Sequence, residues 1–512
     1  MIAAAVAASL ALTGLGVSNG GTPYAGDRPL LATVSPNADG SRDAAIVRFA
    51  LSEPARVRLE AVENVPGVPA HAVWSTQVRL GAGPQRLVWR PTPTTPARTY
   101  VLRLTATGAR GQTIRLGRWR PGGRVDAPVV RVLGLEASFL RSSYAPGELA
   151  EVRIAADARS LKLQVLAYAG DRPPGIRDTL TSGVAMTPPL AVDWSGHRDA
   201  PANVRFVRAG NWPSGLYFLR LSAEDGRVGY APLIVRPRRL GVHRIAIVLA
   251  TNTWQAYNFA DANGDGWGDS WYVSGQNLSV ALDRPYLDFG LPYRFGDWDL
   301  EFLDWLARTG KQVDVLSDDD LERATGAELA RAYDLVVFPG HEEYATTHAY
   351  DAVTRYRDLG GNLAFLSANN FFWRVDRIGD RLVRVREWRE LGRPEAALVG
   401  VQYVGSNHGA RQAGYTVAEP QSWAFAGTGI GSSFGRYGIE VDARSAASPP
   451  GTELLASIPD LLGPGRSAEM TSYETPAGAR VFAAGTLNFA SSLDRPEVSQ
   501  LVENVWNRLA TP

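Results

Sequence analysis

Over residues 235–254, VRPRRLGVHRIAIVLATNTW, the chain changes character, and this constrains the fold more than any other feature. Before it, segments such as IVRFALSEPARVRLEAVENV (46–65) and TYVLRLTATGARGQTIRL (99–116) alternate apolar and polar residues. That is the period of half-buried antiparallel strands joined by turns. After it, IAIVLA (245–250) is a continuous apolar run, as a strand buried on both faces requires. DLEFLDWLARTG (299–310) has helical spacing and ends on Gly310, where a C-cap belongs. DLVVFPG (334–340) and NLAFLSA (362–368) read as further buried strands, YDAVTRYRDLGG (350–361) as the helix between them, and VSQLVENVWNRLAT (498–511) as a closing amphipathic helix. The rhythm predicts a doubly wound, Rossmann-like α/β unit with a mainly parallel sheet over 239–512.

The half before the switch reads as two successive β-sandwich modules, 27–126 and 127–238. A weak repeat supports two copies: YVLRLTAT (100–107) and YFLRLSAE (217–224), each followed by a Gly-containing turn and another strand. The first module opens on SPNADGSRDA (35–44), which resembles the start of the Ig-like domain of flagellar hook-capping proteins. Residues 2–17, IAAAVAASLALTGLGV, are apolar and uncharged but shorter than the roughly 20 residues of a membrane span. Residues 1–26 are therefore read as signal-peptide-like, and the mature chain as extracytoplasmic or secreted with no membrane span.

Composition removes whole classes of chemistry. With 53 Lys+Arg against 52 Asp+Glu, the chain has no basic excess to neutralise a phosphate backbone, so nucleic acid is not an expected partner. It contains no cysteine, which excludes thiol nucleophiles, thiolate zinc and iron–sulfur clusters. Any metal must be held by oxygen or imidazole.

Three loops follow buried strands, where open α/β sheets build their sites: TNTWQAYN (251–258), PGHEEY (339–344) and SANNFFW (367–373). In glutamine amidotransferase-like folds the third loop carries a nucleophilic cysteine; here Ala368 and Asn369 occupy that turn. No G-x-S-x-G elbow marks a serine hydrolase.

These loops, with SWY (270–272), LDRPY (282–286) and LAFLSANNFFWRV (363–375), occur in an order that resembles the C-terminal domain of the N,N-dimethylformamidase large (beta) subunit family, over about 240–510. NWPSGLYFLRLSAEDGRVGYAPLIVRP (211–237) resembles the β domain preceding it in that family. The resemblance implies hydrolysis of a small amide C–N bond by a metal-activated water, at a mononuclear iron (Fe3+) held by two tyrosinates and a glutamate. By motif these fall on Tyr257, Tyr272 and Glu343, with Tyr286 the alternative to Tyr272. His341 is expected to act as base or to orient a ligand, Asn369 and Asn370 to bind a carbonyl or oxyanion, and Trp254, Phe372 and Trp373 to contact substrate. The chemistry is reasonable: a phenol with a pKa near 10 loses its proton to a hard trivalent cation. A small partner subunit or a homo-oligomer is left open.

DANGDGWGD (261–269) matches the first nine positions of an EF-hand-type loop, which nominates Asp261, Asn263, Asp265 and Asp269 as calcium ligands. The twelfth position is Tyr272 rather than a bidentate Glu. Asn37, Asp39 and Asp43 offer a second, turn-like set. The competing function is an exported carbohydrate- or surface-binding protein, with sandwich modules, Trp-rich loops and a calcium-stabilised, non-catalytic C-terminal unit.

Overall fold

The computed structural model describes residues 9–63, 71–118, 126–168, 183–262, 267–272 and 278–511. Residues 12–132 form two facing sheets. One is three-stranded (Leu12–Ser18, Ala45–Leu51, Gly83–Trp89), and the other is built around Ala55–Glu63 and Thr99–Gly108. Val47, Phe49, Leu59, Trp89 and Leu104 fill the space between them. Of the segment read as leader-like, residues 1–8 lie outside the described residues, and Leu12–Ser18 is an edge strand paired with Ala45–Leu51.

Residues 136–235 repeat the plan. Glu136–Phe139, Leu149–Ala155 and Ala202–Arg208 face a sheet built on Ser160–Ala167, Gly215–Ala223 and Val228–Val235. The sequence repeat has a structural basis. Tyr100 donates its hydroxyl to the Pro96 carbonyl at 2.9 Å, and Tyr217 does the same to Pro213 at 2.8 Å. Each is a tyrosine corner that pins a sandwich edge to the preceding turn.

A buried polar joint connects these sandwiches. Asp157, fully buried, accepts the Tyr24 hydroxyl at 2.5 Å and the Arg198 Nε at 3.2 Å. The 35–43 loop serves this joint: Asp39 pairs with Arg198, and Asp43 accepts the Ala38 and Gly40 amides at 3.0 and 2.8 Å. Its carboxylates are engaged with protein donors.

The C-terminal half corrects the expected sheet. Its main sheet has nine strands and is mixed, not mainly parallel. Four pairings join Asp314–Ser317, Ile245–Leu249, Leu335–Phe338, Asn362–Phe365 and Arg480–Ala483 in parallel. The remaining four pairings, through Ala468–Glu474, Glu453–Ile458, Gln412–Val417 and Ser433–Gly438, are antiparallel. The reason is local: after Leu398 strands follow one another with no long helix between them, so sequence neighbours such as Glu453–Ile458, Ala468–Glu474 and Arg480–Ala483 fold back antiparallel. The molecule is thus β-rich and multidomain, with long helices among the described residues at Leu300–Thr309, Thr347–Asp358 and Pro496–Leu509.

The sandwiches dock on this half through its acidic residues. Arg98 forms two 2.7 Å bonds to Asp288, and Arg153 pairs with Asp283. Ser142 donates to Asp319 through its amide at 2.9 Å and its hydroxyl at 2.7 Å, and Tyr168 donates to Asp304. Gly290 (φ 92°) lies against the Tyr230 carbonyl so closely that any Cβ would overlap it.

Asp157→Ala should leave Arg42 and Arg198 without their shared anion and cost about 3 kcal/mol, the scale for breaking a buried ion pair from one side. Denaturant unfolding checks this, and an unchanged midpoint would remove the joint from any stabilising role.

Candidate functional site

Three loops leave one edge of the sheet because the strands preceding them, Ile245–Leu249, Leu335–Phe338 and Asn362–Phe365, are mutually parallel. Tyr257 ends the short helix Thr251–Ala256 after the first strand. After the second strand comes Gly340, whose missing side chain makes room for the Asp299 carboxylate, then His341, Glu342 and Glu343. The third leads into a strained turn, in which Asn369 (φ 57°) and Phe371 (φ 56°) both adopt the left-handed region although neither is glycine. The loops are stitched together: Phe371 N–H donates to the Glu342 carbonyl at 2.6 Å, and Trp373 N–H to that of Glu343 at 2.9 Å.

Tyr257, His341 and Glu343 meet at this edge, all buried. The Tyr257 hydroxyl donates to Glu343 Oε2 and lies 3.1 Å from His341 Nε2. His341 Nδ1 faces the Ala368 carbonyl at 3.0 Å, which assigns a proton to Nδ1 and turns Nε2 toward the site. Nε2 is 3.3 Å from Glu343 and 3.5 Å from Glu440. Glu440 accepts the Asn369 side-chain amide at 2.9 Å, while the Asn369 backbone N–H donates to both oxygens of Asp442 at 2.8 and 2.9 Å.

Burial and crowded negative charge set the proton inventory. Burial raises the Tyr257 pKa well above its ordinary 10, and the Glu343 and Glu440 charges push it further. Burial alone would lower the His341 pKa, but Glu440 and Glu343 overcome it and hold it at about 9. Burial raises Glu440, opposed by the His341 charge. Asp442 is pushed up to about 8 by burial against the Asn369 amide, and Asp299 to about 7 by burial against the Trp254 N–H.

The other nominated residues separate. The Tyr272 ring stands edge-on to Tyr257 at 5.1 Å, but its hydroxyl makes no hydrogen bond to Glu343 among the described residues; burial and neighbouring Tyr293 raise its pKa to about 12. Tyr286 lies apart, beside Gln255 and Arg284, on the wall of a cleft facing the second sandwich. Trp254 is a core residue, packed on Phe295 at 5.8 Å with its N–H 3.3 Å from Asp299. Phe372 packs on Tyr403 at 5.0 Å, and Trp373 lies under Arg384 at 4.8 Å. Asn370 is buried in the strained turn; neither atom of its amide has a partner among the described residues, nor does Asn369 Oδ1. Of the calcium-loop residues, Asn263 and Asp265 lie outside the described residues. Asp269 is buried and accepts the Ala262 amide at 2.9 Å.

Glu440 and Asp442 were not anticipated. Their signal was present: in IEVD (439–442) two carboxylates alternate with apolar residues, so a strand presents both on one face.

Among the described residues no three His, Asp or Glu side chains form a ready-made metal site. The Tyr257 oxygen completes the donor set. With that phenol against Glu343, Glu440 nearby and unpartnered amide atoms in the adjoining turn, the residues fit a hard cation.

Residues 190–504 match the family described as N,N-dimethylformamidase beta subunit-like, C-terminal. The chain belongs to this family. The family unit starts at residue 190, inside the second sandwich and ahead of the strand switch at 239. N,N-dimethylformamidase beta subunits from Alcaligenes sp and Paracoccus aminophilus are each 26% identical to this chain, over 46% and 48% of its length. The matched regions span 41% and 42% of those relatives. A solved ThuA-like protein from Bacteroides uniformis, 14% identical, aligns over 40% of this chain and 80% of its own with a TM-score of 0.28, too low to define the fold.

The raised acids have a consequence for stability. Between pH 3.8 and about 8 the folded protein holds a proton on Asp442 that the unfolded chain releases. His341 acts in the same direction between 6.5 and about 9. Stability is therefore lost as pH rises through this window. The Tm of metal-free protein should fall from pH 5 to pH 9, and Asp442→Asn should flatten the slope. A profile rising with pH would contradict these proton assignments.

Proposed function

We propose that this chain is a metal-dependent amidohydrolase acting on the C–N bond of a small amide. The observation that carries the reading is the buried contact of the Tyr257 hydroxyl with Glu343, beside His341 Nε2, at the edge of the sheet where three loops converge. The family relationship supports it, since the curated relatives are named for cleavage of N,N-dimethylformamide.

Tyr257 and Glu343 would hold the metal; Tyr344 also hydrogen-bonds Glu343, and Tyr272, the second tyrosinate that the family resemblance implies, stands edge-on to Tyr257; ferric iron suits such hard oxygen donors. Bound there, the ion supplies Lewis acidity toward an amide carbonyl and acidifies water. The protein supplies the remaining work. Glu440, buried, hydrogen-bonded by Asn369 and raised toward neutrality, takes a proton from water and returns it to the departing amine nitrogen. His341 lies between Glu343 and Glu440 and balances their charge while its Nδ1–H is fixed on Ala368. The unpartnered Asn370 Nδ2 is available to donate to a substrate carbonyl, whereas the unpartnered Asn369 Oδ1 can only accept or face a cation. The stitched loops hold these groups in place and keep the site dry, which strengthens each polar contact.

Division into modules at 27–126, 127–238 and 239–512, export, a small partner subunit and calcium in the 261–269 loop belong to the same proposal. Millimolar calcium should raise Tm if that loop binds it; an unchanged Tm would leave only a turn.

Tyr257→Phe should abolish iron content and any tyrosinate charge-transfer colour while the far-ultraviolet circular dichroism stays native. Glu440→Gln should keep the metal and lose at least about 100-fold in amide hydrolysis, the scale of general-base removal. Because the site phenol must ionise to bind, metal content should also fall as the protein is acidified. Full iron in the Phe variant by elemental analysis would defeat this site.

A further inference from the structure

The strained turn between Ala368 and Trp373 is bonded to the site from both ends. The Ala368 carbonyl holds His341 Nδ1 at 3.0 Å, and the Phe371 and Trp373 N–H groups donate to the Glu342 and Glu343 carbonyls at 2.6 and 2.9 Å. Asn369 and Asn370 lie between these anchors, 3% and 1% exposed. Asn369 Nδ2 is committed to Glu440 at 2.9 Å. Three other amide atoms have no partner among the described residues: Asn369 Oδ1, Asn370 Oδ1 and Asn370 Nδ2. Buried polar atoms without partners are costly, so each one in a native protein calls for a specific cause.

The chemistry of these atoms specifies what would complete them. A carboxamide oxygen accepts and a carboxamide nitrogen donates. The turn therefore offers two acceptor oxygens and one donor nitrogen. A primary amide, R–CO–NH2, brings the inverse set: two N–H bonds and a carbonyl. Its carbonyl and syn N–H match one carboxamide in the two-bond ring of an amide dimer, which suits Asn370, and its second N–H suits Asn369 Oδ1. N,N-dimethylformamide, for which the curated relatives are named, has a carbonyl and no N–H. It would complete Asn370 Nδ2 and leave both oxygens without donors. A site built to bond a substrate N–H rejects the analogue lacking it, because the site's own buried groups are then stranded.

We propose that Asn369 and Asn370 select a primary carboxamide, so that this chain hydrolyses R–CO–NH2 in preference to an N,N-dialkyl amide. The inference rests on the amidohydrolase reading above. In that reaction the oxygen of water forms the new C–O bond, the C–N bond breaks, and the proton that Glu440 takes from water leaves on ammonia, giving a carboxylic acid. Asn369 then serves both partners of the proton transfer. It holds Glu440 through its nitrogen and the substrate nitrogen through its oxygen, which puts proton carrier and leaving group on one carboxamide.

The test compares isobutyramide with N,N-dimethylacetamide, isomers that separate N–H content from size. Each is titrated against the full-length, metal-loaded protein. Apparent dissociation constants are read from the rise of Tm with amide concentration, and hydrolysis is followed by release of acid. Isobutyramide should bind at least about tenfold more tightly and be hydrolysed with a kcat/KM at least about 100-fold higher. Asn370→Leu, which replaces an unpartnered amide by an apolar group of similar size, should keep the amide-free Tm and bring the binding ratio to within about threefold. Equal binding of the two isomers by the wild type, or tighter binding of the dimethyl amide, overturns the selection even if both are hydrolysed, and decides the matter alone if the Leu variant does not fold. A ratio unmoved in folded Asn370→Leu protein overturns it as well. A preference for isobutyramide that Asn370→Leu removes, with no hydrolysis of either amide, upholds the recognition and overturns the amidohydrolase reading instead.

Discussion

Two carboxylates, Glu343 and Glu440, are buried on either side of one imidazole, and much of the C-terminal half is arranged to make that tolerable. Burying an ionised carboxylate without compensation is prohibitive. The His341 charge, the Tyr257 hydroxyl and the Asn369 amide provide compensation in the structure described. The strained backbone at Asn369 and Phe371 follows from the same requirement, because the turn must present its side-chain amide to Glu440 and its backbone N–H to Asp442 at once. Strain of this kind persists only where surrounding contacts over-determine it. Here the Phe371–Glu342 and Trp373–Glu343 backbone bonds do so.

Much of this was legible in the sequence, and the boundary of legibility has physical causes. The buried strands announced themselves as continuous apolar runs, and the loops after them were recognisable because residues following parallel strands emerge together. Tyr257, His341 and Glu343 meet because of that rule alone. Glu440 and Asp442 arrive from a strand that pairs antiparallel with Gln402–Ser406, outside the main sheet, and no local pattern announces which loop such a strand will face. The antiparallel half of the nine-stranded sheet was missed for a related reason: its strands are short, and their apolar residues are interrupted by glycine and serine. Trp254, nominated from its place in a site loop, turns its ring into the core with its N–H 3.3 Å from Asp299, because position in a loop does not fix a rotamer. The tyrosine corners show the converse, since a repeated YxLRL segment reflected a repeated hydrogen bond to an upstream prolyl carbonyl.

The sandwiches and the C-terminal half meet through a consistent division of charge. Asp283, Asp288, Asp304 and Asp319 all belong to the latter, and each receives its donor from an upstream residue: Arg153, Arg98, Tyr168 or Ser142. The near-zero net charge of the whole chain therefore conceals complementary faces. A polypeptide started at residue 239 would retain the sheet strands and Tyr257, His341, Glu343 and Glu440, yet strip upstream donors from four aspartates, of which Asp319 alone keeps an arginine, Arg377. Its free face would be anionic, and loop 287–290 would lose the scaffold it rests on. Exchange of upstream modules between relatives is thus constrained at these four positions: an incoming sandwich must bring donors that fit them, whatever else it has evolved to recognise.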